Sequence, residues 1–146
     1  MRLDLPRKPS AYSWHIELQT RFADMDIRAH LNNVSIARLF EETRVRFNHH
    51  LKDLIPGFQP FQFVMASLHI DFLAEGHYPA PVLMGQGVTH VGTTSFGSGM
   101  AMFQGDRCLA LCQSVLVHKT ESGTTALPEA FRAQLAGLVL NTGDNM

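Results

Sequence analysis

Residues 33–51 carry the pattern that most constrains the fold. Ile36, Phe40, Thr43, Phe47 and Leu51 recur at steps of four, three, four and four. That spacing puts them on one face of a helix, while Arg38, Glu41, Glu42, Arg44 and Arg46 occupy the rest. A helix with one strongly apolar face must bury it against another layer. Asn32-Asn33 supplies the start signal, because an asparagine oxygen accepts an orphan N–H of the first turn. The helix is expected to reach about Leu51 and to stop before Pro56-Gly57.

Most of the remaining chain reads as strand. Residues 13–22 alternate, with Trp14, Ile16, Leu18 and Phe22 on one face and His15, Glu17, Gln19 and Arg21 on the other. From Phe61 the period is again two, and Leu68, Ile70 and Phe72 alternate with Ser67, His69 and Asp71. A loop at 76–81 leads to strands at 82–91, 94–103 and 108–119, with a tight turn at Gln104-Gly105-Asp106. A short helix at about 128–138 closes the chain. The first nine residues read as an extended lead-in and 141–146 as a frayed tail. One strand, a long helix and then four closely connected strands imply an antiparallel meander with one apolar face for the helix to cover. The expected fold class is α+β, a curved antiparallel sheet wrapped round one helix. A single domain is expected over residues 1–146, with its core at about 13–138.

Composition excludes several classes of function. A formal net charge of −1 gives no basic surface for a nucleic-acid partner. No apolar run approaches the ~18 residues that cross a bilayer. The first nine residues lack the apolar stretch of a signal peptide, so a cytoplasmic location is expected. Cys108 and Cys112, in one strand, would share a face about 13 Å apart at ~3.3 Å per residue, too far for a disulfide. The eight histidines show no HExxH spacing, and no metal site is expected.

The candidate chemistry lies in the bend before the helix, Ala23-Asp24-Met25-Asp26-Ile27-Arg28-Ala29-His30. A helix N-terminus offers unpaired N–H groups and a positive dipole end. Those groups can polarise a carbonyl and stabilise an oxyanion, and the Asp26 carboxylate beside them can attack the carbonyl or activate water. Acyl transfer is the matching reaction. A thioester suits a carboxylate best, since thiolate leaves without being protonated. Asp-x-Asp before a helix also serves as turn and cap chemistry, and Asp24 has the stronger structural case of the pair. His30 reads as a general base or as a hydrogen-bonded structural residue.

The stretch 21–33, Arg-Phe-Ala-Asp-Met-Asp-Ile-Arg-Ala-His-Leu-Asn-Asn, followed by Leu39-Phe40-Glu41-Glu42-Thr43-Arg44, resembles the hotdog-fold acyl-CoA thioesterases of the 4-hydroxybenzoyl-CoA thioesterase-like branch. Their pattern runs roughly R-[YF]-x-D-T-D-x-x-G-H-V-N-N and continues into a helix with [YF]-x-E-x-[AS]-R. Strand segments 68–72, 88–96 and 114–117 are similar too, so the resemblance spans about 13–135.

The resemblance implies a hotdog fold, with a five- or six-stranded antiparallel sheet round the long helix. It implies homodimers or homotetramers joined edge to edge, with active sites at the subunit interface. Asp26 takes the position of the catalytic aspartate and Asn33 that of the backbone N–H that polarises the thioester carbonyl. His30, Asn32 and Arg28 are the expected substrate-binding residues, although Arg28 is not typical of the family: it could lower the pKa of Asp26 or meet a phosphate of coenzyme A, and as a solvent-exposed arginine it would do neither. Coenzyme A then enters as part of the substrate, and no cofactor is expected. Met25 and Ala29 depart from the pattern, which has Thr and Gly there. If position 29 needs φ > 0, alanine is strained there. The other readings of this framework are a thioesterase for acyl-carrier-protein substrates and a module that binds acyl thioesters without hydrolysing them. A hotdog dehydratase would need a histidine motif on the long helix that this sequence lacks.

Overall fold

The protein is described by a computed structural model over residues 2–140. Eight regular elements build it: β1 (Trp14–Leu18), α1 (Asn33–Leu54), β2 (Phe63–Phe72), β3 (Val82–Val91), β4 (Ser95–Gln104), β5 (Arg107–Thr120), β6 (Gly123–Thr124) and α2 (Glu129–Ala136). The expected frayed tail at 141–146 lies outside the described residues.

The strands form one antiparallel sheet in the order β1-β3-β4-β5-β2, and β6 adds a two-residue pairing to the end of β5. This is the hotdog arrangement, a curled sheet with the long helix lying in its concave face. The simple meander expected from the sequence holds only for β3, β4 and β5. β2 instead pairs with β5, Phe63 opposite His118 through Phe72 opposite Ala110. The connection at 73–81 is far longer than a hairpin needs and carries the chain across to β3. β1 then lies against β3, Trp14 opposite Gln86.

Burial of α1 explains the sheet's inner face. Ile36 and Phe40 pack with Met84, Met100, Met102, Ala110 and Cys112. Phe47 and Leu51 pack with Val88, Phe96 and Leu116, a cluster completed by Phe131 and Leu135 of α2. Met100 and Met102 are therefore core. The helix runs one turn beyond the expected end, to Leu54, and Ile55 caps it through its N–H to the Leu51 carbonyl.

The outer face has its own cover. Leu5, Tyr12 and Leu140 pack on Ala101, Phe103 and Leu111, so the lead-in is a structural strap. The Tyr12 hydroxyl, inside that cluster, donates to the Pro6 carbonyl at 2.6 Å. Beyond Trp14, the start of β1, the C-terminal segment takes over the edge of β3: Val88 N–H donates to the Leu138 carbonyl and Leu140 N–H to the Val88 carbonyl.

Three local expectations change. β1 ends at Leu18, and Phe22 sits in a 3-10 turn, 74% exposed, with its ring edge-on to Tyr78. The chain must turn away at Gln19 to reach the helix start, which takes Phe22 off the buried face. Phe61 likewise precedes β2, in a 3-10 turn. Cys108 and Cys112 do not share a face. The register shifts where Phe103 pairs with Cys108 but Met102 pairs with Ala110. That bulge reverses the alternation, so Cys108 packs in the outer cluster and Cys112 in the inner one. Both are free thiols, pushed up by burial to about 11 and about 12.

The strap makes one prediction. Tyr12→Phe removes the bond to Pro6 inside a buried cluster and should cost about 1–2 kcal/mol in a urea unfolding titration, with unchanged m-value.

Candidate active site

The bend between β1 and α1 is a miniature hairpin. Asp26 N–H donates to the His30 carbonyl at 2.8 Å, and Ala29 N–H donates back to the Asp26 carbonyl at 3.1 Å. Met25 and Leu31 form a bridge behind them, and Asn32 N–H donates to the Asp24 carbonyl. The helix begins directly after this closure. Asn32 is its cap, its side-chain oxygen accepting Val34 N–H at 2.7 Å. Asn33 is the first helical residue, so its N–H has no intrahelical acceptor.

Two carboxylates two residues apart have opposite environments. Asp24 is buried, 2% exposed. Its oxygens accept Arg21 N–H at 2.8 Å, the Arg21 guanidinium at 3.0 Å and the Arg38 guanidinium at 3.4 Å. Burial pushes its carboxyl up, but the bonds from Arg21 and from the Ser35 hydroxyl outweigh it and hold the group below its ordinary range. It ties the bend to the first turns of the helix. The depression beside it, about 440 Å³, is lined by Glu17 and by charges already committed to each other: Arg21 and Arg38 to Asp24, and Arg46 to Glu42.

Asp26 faces the other way, half-buried, into a cleft of about 390 Å³ lined also by Arg28, His30, Asn33, Ile36, Phe72 and Glu75. Its Oδ1 accepts Arg28 N–H at 2.8 Å and His30 N–H at 3.2 Å. The His30 backbone bond, with that from Arg28, holds its carboxyl below the usual range, so it is ionised at neutral pH. The donors occupy one oxygen, and among the described residues Oδ2 has no such donor. An ionised carboxylate pinned at one oxygen, in one cleft with an orphan helix N–H, suits attack on a carbonyl.

The structure thus brings Asp26, Arg28, His30 and Asn33 together. Arg28 contributes its N–H to Asp26, and its exposed side chain borders the cleft. The His30 ring is engaged by Glu75, Nε2 to Oε2 at 3.0 Å. Asn32 does not line the cleft, and its side-chain oxygen is spent on the cap. Glu41 borders a separate groove with Arg44 and Leu68. Among the described residues no group of three or more His, Cys, Asp or Glu is placed to hold a metal ion. Glu75 was missed from the sequence, because nothing in a β2–β3 loop signals that it crosses to the bend.

The departures from the family pattern are visible too. Ala29 adopts φ +63°, a left-handed conformation. The half-buried Met25 extends the hairpin ladder.

The family model described as the thioesterase-like superfamily matches residues 20–135. A comparison with curated proteins gives no match. Among solved structures, a predicted thioesterase from Bacillus stearothermophilus is 21% identical with a TM-score of 0.76, covering 88% of this chain and 97% of its own. A thioesterase from Thermus thermophilus, complexed with coenzyme A and Zn, is 23% identical with a TM-score of 0.76, covering 88% and 95%. A 1,4-dihydroxy-2-naphthoyl-CoA thioesterase from Synechocystis is 17% identical with a TM-score of 0.70, covering 86% and 96%.

Two predictions test the local physics. Releasing the left-handed strain at Ala29 is worth about 1–2 kcal/mol, against about 0.5–1 kcal/mol of extra chain entropy for glycine. Ala29→Gly should therefore stabilise by up to about 1 kcal/mol, read as a raised Tm. Asp24 has a folded pKa below its unfolded one. Its contribution is complete above the usual carboxylate value of about 4 and is lost as pH falls through the folded pKa. Asp24→Asn should lower stability by about 2 kcal/mol at pH 7 and flatten the loss of stability on acidification. With the family model matching most of its length and the fold in agreement, the chain belongs to the thioesterase-like superfamily and is a thioester hydrolase of the hotdog fold.

Proposed function

We propose that the protein is an acyl-CoA thioesterase, cleaving an acyl-CoA to the free acid and coenzyme A, with Asp26 as the catalytic carboxylate. The observation that carries this reading is the shared cleft of Asp26 and Asn33, with the carboxylate pinned at one oxygen by two N–H groups. The thioester carbonyl oxygen accepts the Asn33 N–H, and the positive end of α1 stabilises the charge that gathers there. Asp26, as nucleophile or general base, either attacks the carbonyl carbon, expelling the thiolate and leaving an acyl anhydride that water then hydrolyses to the free acid, or takes the proton of the water that attacks the carbonyl directly. The thiolate of coenzyme A leaves without needing an acid, which fits a site whose functional carboxylate stays ionised.

Coenzyme A is part of the substrate, and no other cofactor is required. Arg28 and His30, on the cleft rim, are placed to meet polar parts of the substrate, and Asn32 supports the site through the cap. We place the enzyme in the cytoplasm, and no described helix is long and apolar enough to cross a membrane.

Edge strand β2 supports association into a homodimer, or a homotetramer built from it. Among the described residues β2 pairs on one side only, with β5, while Val64, Met65, Leu68 and Phe72 are exposed along it. An open edge bearing that much apolar surface is a template for strand pairing. Phe72 also borders the Asp26 cleft, so pairing along β2 brings the partner to the site.

Thiol release from short, long-chain and aromatic acyl-CoAs tests the proposal. Asp26→Asn should keep the fold and the oligomer and lose roughly two to four orders of magnitude in kcat. The lowered Asp26 pKa sets the sign of the pH profile: kcat/KM should stay level down to about pH 5 and fall only at or below about pH 4. Unchanged turnover in the variant would remove Asp26 from the mechanism. No thiol release by the wild type from any acyl-CoA would overturn the coenzyme A assignment.

A further inference from the structure

Three consecutive residues of the β2–β3 connection grip three consecutive residues of the Asp26 bend. Glu75 Oε2 lies 3.0 Å from His30 Nε2. The Gly76 carbonyl accepts Leu31 N–H at 2.8 Å. His77 Nδ1 lies 3.3 Å from the Ala29 carbonyl oxygen, and its ring meets that of His30 edge-on at 5.2 Å. Gly76 has no room for a side chain: a Cβ there would lie 2.7 Å from Leu109 and 2.8 Å from Leu31.

The connection is itself fastened to the β4–β5 hairpin. Gln104 Oε1 accepts His77 N–H at 3.0 Å, and its Nε2 donates to the His77 carbonyl at 2.8 Å and to the Ala80 carbonyl at 3.1 Å. The Arg107 guanidinium donates to the Glu75 carbonyl. These bonds involve backbone groups of the connection and hold it without the Glu75 side chain. That side chain is 64% exposed, and an exposed ion pair adds little to stability. It also puts a second carboxylate into the cleft of an ionised Asp26, an arrangement that a purely structural brace does not need.

What the Glu75 carboxylate does hold is His30, and His30 supplies one of the two N–H groups on Asp26 Oδ1. We propose that Glu75 is a positioning residue: by anchoring the His30 imidazole it keeps the His30 N–H on Asp26 and so keeps the free Asp26 oxygen aimed into the cleft. This rests on the reading of Asp26 as the catalytic carboxylate. Glu75 acts through His30 and Asp26, with no bond to substrate of its own.

The test combines kinetics with amide exchange, on the full chain. Glu75→Ala should lower kcat for acyl-CoA hydrolysis by about ten- to a hundredfold, the scale of a sub-ångström to one-ångström misplacement, with KM within about twofold. Its Tm should stay within about 2 °C of wild type. Glu75→Gln, which keeps an acceptor oxygen for His30, should recover most of the rate. In an Asp26→Asn background, Glu75→Ala should cost nothing further, since both changes act through one group. By hydrogen exchange, the Arg28 and His30 amides should exchange at least about tenfold faster in Glu75→Ala, with β4 and β5 amides unchanged.

Unchanged kcat and unchanged exchange in Glu75→Ala would overturn the proposal, as would an undiminished further loss in the Asp26→Asn background. If the wild type releases no thiol, the thioesterase reading fails by itself, and the exchange comparison still decides whether Glu75 holds the bend.

Discussion

The apolar stripe of α1 presses into the concave face of the sheet, and the position of everything functional follows from that contact. Ile36 and Phe40 lock the first turns of the helix against the methionines of β3 and β4. With the helix start fixed, the orphan Asn33 N–H has a fixed direction. The hairpin at 25–31, closed onto the helix cap, then has one place to present Asp26. The electrostatics are local consequences of that frame. Asp24 turns inward and pairs with Arg21 and Arg38, whereas Asp26 turns outward and is held by the backbone N–H groups of Arg28 and His30. The same residue type is thus tied into the frame in one case and left facing a cleft in the other.

That division of labour has a cost in backbone strain. A left-handed alanine is the apex of the bend, and its carbonyl, its neighbour His30 and the following Leu31 are all gripped from the β2–β3 connection. Strain persists only where the surroundings over-determine it, and here they do so through a segment that Gln104 and Arg107 bolt to the opposite hairpin. The connection that carries the chain between non-adjacent strands is also the back wall of the site.

Legibility in the sequence followed the range of the interactions. The helix, its Asn32 cap and the strands β3 to β5 were readable because period and capping are local signals. So was the Asp26 position, where a carboxylate precedes a helix start within a family-like stretch. The placement of β2 beside β5 was not readable, because strand pairing across the sheet leaves no mark on the local pattern. The opposite facing of Cys108 and Cys112 depends on a bulge whose extra residue looks like ordinary strand. The strap formed by Leu5 and Tyr12 read as lead-in because its partners, Ala101, Phe103 and Leu111, lie about a hundred residues away. Glu75 escaped for the same reason: its role exists only once the loop has crossed to His30.

The most direct test is a crystal structure with a ketone analogue of an acyl-CoA, in which a methylene replaces the thioester sulfur and hydrolysis is blocked. The ketone oxygen should lie within about 3.2 Å of the Asn33 nitrogen. Its carbonyl carbon should stand about 3–3.5 Å from an Asp26 oxygen, or be bridged to it by one water. A ketone bound away from Asn33, or seated in the depression beside Asp24, would contradict the assignment of the cleft as the place where the thioester is cleaved.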